Sequence, residues 1–250
     1  MAAITKSNKM ERGSGALKSH MSGCSKMEIR QTRRGWCQEL LGCEAKTEFK
    51  HFIGSNQVFH SIEDGDCCCR IFCTPIHPYT MAVKELNTEA EVVTVERPCR
   101  CALGGCKCCC YQEASFSSGQ QNLGRIEETC WFCVPSFKIY DHQDNQIYLV
   151  HQPTCLGGCC VNCCAEGNPC TRKGCCKVSF RIYDPDAGNT NGDAPYKGMI
   201  LKKPKSFGTE VFTDANAFEV DFPNDASADE KGVLIGTAIF INSIFFEGED

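Results

Sequence analysis

Phe137-Lys-Ile-Tyr-Asp-His-Gln-Asp-Asn-Gln-Ile-Tyr-Leu-Val150 holds two short apolar runs around a polar turn, Asp141 to Asn145, and leads into Gln152-Pro153 and a cysteine cluster. Short alternating runs bounded by Asp, Asn, Gly and Pro are the sequence signal of an antiparallel hairpin. The unit recurs on both sides. Tyr79 to Val83 and Glu91 to Val95 flank a polar turn and run into Arg97-Pro98 and more cysteines. Val178 to Tyr183 and Gly198 to Leu201 flank a Gly/Asn/Asp loop and run into Pro204. Phe49 to Ser61, with a turn at Gly54-Ser-Asn56, reads as a fourth copy, followed by Cys67-Cys-Cys69. Repeated hairpins at this spacing imply a meandering sheet, and closing such a meander removes its exposed edges. The expected fold is therefore all-β, a closed antiparallel barrel.

Gly232 to Phe246 is different: fifteen residues without a charge, with Lys231 before them and Glu247-Gly-Glu-Asp250 after. As a helix this stretch is about 22 Å long at 1.5 Å per residue, against a hydrocarbon core of about 30 Å. It is short for a clean span, and Gly236, Thr237, Asn242 and Ser243 would cost something in lipid. A helix filling the barrel is the favoured reading, and insertion into a membrane is the other.

At 250 residues and 42% hydrophobic, the chain suffices for one sizeable core. The net charge of −5 hides an asymmetry: residues 1–34 carry eight Lys or Arg against two Glu. We read residues 1–43 as a basic, disordered arm and 44–250 as the barrel domain, including an apolar helix over 232–247. No apolar run with a small-residue cleavage site opens the sequence, so the chain is expected in the cytosol. Its 23 cysteines are then acylation sites, metal ligands or buried small hydrophobes rather than a disulfide framework.

Several ordered motifs bring a family into view. Asp66-Cys67-Cys68, Val95-Glu-Arg-Pro98, the block Cys99 to Cys110 ending in Tyr111-Gln-Glu113, and Pro135-Ser-Phe-Lys-Ile139 come first. Cys159-Cys160 with Cys163-Cys164, Phe212-Thr-Asp-Ala-Asn-Ala-Phe218, Phe222-Pro223, Ile235-Gly236 and Phe245-Phe-Glu247 follow. Over roughly residues 44–247 the chain resembles the phospholipid scramblases. The resemblance implies a tubby-like barrel of about twelve strands around a hydrophobic C-terminal helix. It also implies calcium-responsive, ATP-independent movement of phospholipids between leaflets, without bond chemistry, at the cytoplasmic face of the plasma membrane. Family members often carry a Pro-rich N-terminal segment that docks SH3 and WW domains; here the first proline is Pro75, which speaks against such partners.

By the resemblance, Cys99, Cys101, Cys106, Cys108, Cys109 and Cys110 form the palmitoylation block. Each buried methylene adds about 0.8 kcal/mol, so two chains anchor a protein stably. Asp214 to Asp225 is similar to the family's calcium segment, with Asp214, Asn216, Phe218, Val220, Phe222 and Asp225 at the candidate positions. Position by position the chemistry is thin, because Phe218 takes the fifth place and Glu219 stands where an EF-hand needs glycine. Phe218, Val220 and Phe222 alternate as in a half-buried strand, and that reading is preferred; any calcium site here would be weak. Cys159-Cys160-x-x-Cys163-Cys164 has the spacing of a zinc knuckle, making Zn²⁺ the second candidate ion.

No P-loop, Gly-x-Ser-x-Gly elbow or His-Glu-x-x-His occurs. The competing function is an acylated, membrane-tethered module that binds lipid or protein and can reach the nucleus when not acylated. A homo-oligomer is admitted. A zinc-stabilised nucleic-acid binder ranks last, because the body of the chain is acidic and the arm lacks interleaved aromatics.

Overall fold

The computed structural model describes residues 13–32, 47–64, 78–100, 110–129, 135–153, 178–188, 190, 194–203 and 214–246, with 214–216 described by their backbone. A helix α1 spans residues 13–21. Twelve strands follow: β1 (Lys26–Thr32), β2 (Glu48–Ile53), β3 (Asn56–Asp64), β4 (Tyr79–Glu85), β5 (Glu91–Arg97), β6 (Glu113–Ser118), β7 (Gln121–Glu128), β8 (Ser136–Asp141), β9 (Gln146–His151), β10 (Val178–Tyr183), β11 (Gly198–Lys203) and β12 (Asp214–Asp221). A helix α2 (Ala228–Phe245) ends the architecture.

Each strand lies beside its neighbour in sequence, and β1 closes the ring against β12. Met27 stands opposite Val220 and Ile29 opposite Phe218 across that seam. The strands alternate as the sequence requires: on β8, Phe137 and Ile139 are fully buried while Lys138 and Tyr140 face outward. The core gathers these inward side chains around α2, whose residues from Lys231 to Ser243 are all buried.

The four hairpins read from the sequence are β2–β3, β4–β5, β8–β9 and β10–β11. The boundary of the basic arm is corrected. Residues 26–32, inside the segment read as disordered, form β1, because Met27, Ile29 and Gln31 alternate inward between charged neighbours. Residues 13–21 also join the fold, with Leu17 and Met21 buried.

Antiparallel order sends alternate connections to opposite ends of the barrel. The turns at 54–55, 86–90, 119–120 and 142–145 and the link 222–227 from β12 to α2 lie at the end where α2 begins, here the turn end. The opposite strand ends, Thr32, Glu48, Asp64, Tyr79, Arg97, Glu113, Glu128, Ser136, His151, Val178, Lys203 and Asp214, form the other end, the rim.

Candidate functional site

The start of α2 is set by Ser227. Its hydroxyl accepts from the Glu230 amide at 3.2 Å, and the Glu230 carboxylate accepts from the Ser227 amide at 2.6 Å, a reciprocal capping box. The helix therefore begins at Ala228 rather than at Gly232, four residues before the start of the apolar run, and Phe246 is its C-cap. Within the barrel the helix satisfies its own polar groups: Thr237 donates to the Val233 carbonyl at 2.9 Å and Ser243 to the Phe240 carbonyl at 2.8 Å. Gly236 faces the Phe116 ring so closely that a Cβ would lie 2.5 Å from it. Toward the rim, Phe240 and Phe245 pack on Phe137, with ring centroids 6.0 and 6.1 Å away. Phe246 packs on Phe218 of β12 at 5.8 Å.

Two polar latches hold the helix at its ends. At the turn end, α1 lies across the opening. Gly13 permits this, since a Cβ there would meet the Glu91 carbonyl at 2.0 Å. His20 pairs with Glu85 at 2.7 Å and sets its ring edge-on to Phe59; hydrogen bonds from Thr88 and His20 hold the Glu85 carboxyl below its usual range. The buried Lys231 ammonium donates to the Met21 carbonyl at 3.1 Å, joining α1 to α2.

At the rim, Arg97 of the Val95-Glu-Arg-Pro98 motif turns inward and is buried. It donates to Ser243 Oγ at 3.3 Å and to Gln112 Oε1 at 2.6 Å. The Tyr79 hydroxyl lies 3.1 Å from the same Ser243 oxygen, and the Gln112 main-chain amide donates to the buried Glu128 carboxylate at 3.1 Å. Arg97 and Lys202, whose ammonium lies 3.8 Å from the Phe246 ring centroid, bring positive charge to the C-terminal end of α2, where the helix dipole favours cations. This end of the interior sets buried polar groups beside its phenylalanine cluster. Gln152, 1% exposed and in phase with the inward Tyr148 and Val150, has side-chain polar atoms without a hydrogen-bond partner among the described residues, and a buried polar group in that state is costly.

Sequence reading named neither latch. Ser227-Ala-Asp-Glu230 was legible as a capping box and would have moved the helix start. An inward Arg97 on an alternating strand was legible too: it follows Val93 and Val95 at period two.

The expected calcium segment is β12. Phe218 and Val220 face the core, and Phe222 just beyond the strand is also buried. Glu219 points outward to Lys26 at 2.7 Å and Lys203 at 2.9 Å. Burial raises the Glu219 carboxyl, but those hydrogen bonds outweigh it and hold the group below the usual range. Asp225 at the turn end pairs with Lys197 at 3.1 Å. Eight residues of strand separate the ends of β12 by about 23 Å at ~3.3 Å per residue, so the backbone at Asp214 and Asp225 does not curl into a single loop. Among the described residues no cluster of three or more His, Cys, Asp or Glu side chains can hold a metal.

Of the acylation block, Cys99 is exposed and Cys110 half-buried at the rim; Cys101, Cys106, Cys108 and Cys109 lie outside the described residues. So do Cys159, Cys160, Cys163 and Cys164. Below Cys99, a groove of about 570 Å³ crosses the outer wall from β3 to β7, lined by Asp64, Glu96, Glu113 and Arg125. Arg125 is occupied there, donating to Asp144 at 2.7 Å and Glu127 at 2.5 Å and stacking on Tyr140. Among the described residues no helix is long and apolar enough to cross a membrane.

Comparison with known proteins brings in relatives. The family description "Scramblase" matches residues 25–166 and 164–248. The chain is 29% identical over 211 residues to phospholipid scramblase 2 of Bos taurus, covering 83% of this chain and 64% of that protein. It is 30% identical over 202 residues to phospholipid scramblase 1 of Homo sapiens, covering 81% and 56%. Against phospholipid scramblase family member 5 of Homo sapiens it is 27% identical over 212 residues, covering 83% and 69%. The chain thus spans less than two thirds of the first two relatives. No solved structure matches it.

Proposed function

We propose that this chain, which belongs to the scramblase family, moves phospholipids between membrane leaflets without bond chemistry, in response to calcium, at the cytoplasmic face of the plasma membrane. The observation that carries this reading is the apolar α2 enclosed in a barrel whose interior holds buried polar side chains, Arg97, Gln112 and Gln152, at its rim end. A head group crossing hydrocarbon needs polar partners along its way. The side chains of Gln152, Arg97 and Gln112 offer donors and acceptors at the rim, and α2 supplies a surface compatible with acyl chains once it is free.

Calcium enters as the trigger at Asp214, Asn216 and Asp225. Gathering these three around one ion requires β12 to leave its strand, and β12 is the strand that closes the ring between β11 and β1. Its departure would also withdraw Phe218 from Phe246, loosening the rim end of α2. Palmitate on the Cys99 to Cys110 block keeps the chain at the membrane in this reading. Zinc at the Cys159 to Cys164 pairs would be a structural ion.

Leaflet exchange of a fluorescent phospholipid in reconstituted vesicles tests the reading, with Asp214→Ala as control. Calcium-dependent exchange that the control loses, together with faster amide exchange at Phe218 and Val220 in calcium, is the expected result. No exchange above empty vesicles, in folded and membrane-bound protein, refutes direct scrambling. The alternative, a tethered binding module, then takes its place; it is favoured by the complete enclosure of α2.

A further inference from the structure

Strand register sets a row of basic side chains next to one another on the outer wall. Lys50 of β2 stands opposite His60 of β3, and His60 opposite Lys84 of β4. All three point outward, since their chain neighbours Phe49, His51, Phe59, Ser61 and Val83 are buried. One strand further, Arg30 of β1 stands opposite Lys50. Like charges directly opposite each other destabilise a sheet, and most of this row lacks the usual relief. Arg30 is neutralised by Glu28 at 3.2 Å and lies over the Phe52 ring. Lys50 and Lys84 have no hydrogen-bond or ion-pair partner among the described residues, although Glu48 is two positions from Lys50 and Glu91 stands opposite Lys84. Between them, His60 already attracts a carboxylate: Glu89, from the β4–β5 turn, lies 3.4 Å from His60 Nε2, with its side chain 58% exposed.

We propose that Lys50, His60 and Lys84 form a binding site for a phosphate group, which displaces the Glu89 carboxylate. Adjacent strands lie about 4.8 Å apart, so the two lysine backbones are about 10 Å from each other and their long stems can close over the imidazole from either side. A phosphate monoester brings three strong acceptor oxygens and close to two negative charges. That matches two ammonium groups and a ring N–H better than the single charge of Glu89, whose exposed pairing is weak. On the rim side of the row, the next outward residues of β3 and β4 are Ile62 and Ala82, which stand opposite each other, so neither strand sets an acid beside the site there. Two sources carry such a group: the head group of a membrane lipid and a soluble phosphate. The site lies on the wall, apart from α2, and does not depend on leaflet exchange.

The test titrates the full chain with inorganic phosphate by calorimetry and, separately, sediments it with phosphatidylcholine vesicles that contain or lack phosphatidic acid. Saturable binding of inorganic phosphate identifies a soluble source, and binding confined to the phosphatidic acid vesicles identifies a lipid one. In whichever arm binds, Lys50→Gln/Lys84→Gln should weaken binding roughly tenfold or more, and Glu89→Gln, which removes the internal competitor, should strengthen it. Lys138→Gln, on the outward face of β8, should leave it unchanged. All three variants change outward side chains and are compared at the parent's thermal midpoint. No binding in either arm, binding that the double variant retains, equal loss from Lys138→Gln, or weaker binding by Glu89→Gln overturns the proposal. Leaflet exchange is scored apart: phosphate binding without exchange removes only the scrambling reading, and exchange without phosphate binding removes only this one.

Discussion

Lys231, on the first turn of α2, donates to the main-chain carbonyl of Met21, 210 positions earlier in the chain, across 3.1 Å. The contact ties the lid formed by α1 to the helix inside the barrel. Lys231→Met keeps the apolar stem and removes the charged donor, leaving the Met21 carbonyl with the Cys24 amide alone. We expect a loss of about 1.5–3 kcal/mol, with amides of residues 13–21 exchanging faster than the strands. Urea unfolding and amide exchange check both.

Gly236 packs where a Cβ would strike the Phe116 ring. Gly236→Val should destabilise the fold by about 1–3 kcal/mol through overpacking, despite the better helix propensity of valine. Adding Phe116→Ala should recover part of that loss. A double-mutant cycle measures the coupling, and additive effects would show that the two residues do not touch.

Arg97 joins Ser243 of α2 to Gln112 at the rim. Arg97→Leu strands the buried Gln112 Oε1 acceptor and should cost about 1.5–3 kcal/mol. If the calcium-release reading holds, the same change, in protein that remains folded, raises leaflet exchange without calcium, because the rim end of α2 is held less firmly.

His51 is fully buried, accepts or shares a hydrogen bond with Ser61 Oγ at 3.1 Å, and is pushed down to about 3 by burial and, secondarily, by His60. The folded state keeps the ring neutral while the unfolded chain protonates near 6.5, so the unfolded state binds more protons below that pH. Stability should therefore fall as the pH drops from 6.5 towards 3. Between pH 6.5 and 5 the loss from this group is about 2 kcal/mol. His51→Gln should flatten that part of the profile in denaturant midpoints against pH.

Four hairpins and the barrel class were legible because Phe137, Ile139, Tyr148 and their counterparts alternate cleanly around polar turns. The β6–β7 pair was not. Its alternation breaks at a bulge after Phe116, and Gly124, at φ +150°, sits where a Cβ would strike the Tyr140 carbonyl, so the apolar count is low. β1 was hidden by charge: Lys26, Glu28 and Arg30 read as solvated arm, although their partners Asp221, Glu219 and Ala217 lie across the seam. The apolar helix was legible, and the choice of barrel interior over membrane followed from its length and polar residues. The latches were less so, since Lys231 and Met21 are close only in the folded chain. The expected calcium segment was weighed correctly as strand, because Phe218 and Val220 outvote a few carboxylates.

The helix that fills this barrel comes after all twelve strands in the chain. During synthesis, each hairpin can form as it leaves the ribosome, yet the wall they make encloses nothing until residues 228–245 emerge. Inward faces such as Phe116, Phe137 and Phe180 therefore stay unsheltered through nearly the whole of translation, a long interval in which chaperones are the natural cover. Any premature stop before Ala228 would yield a wall with no core, and hence a product for degradation rather than a shortened, working protein.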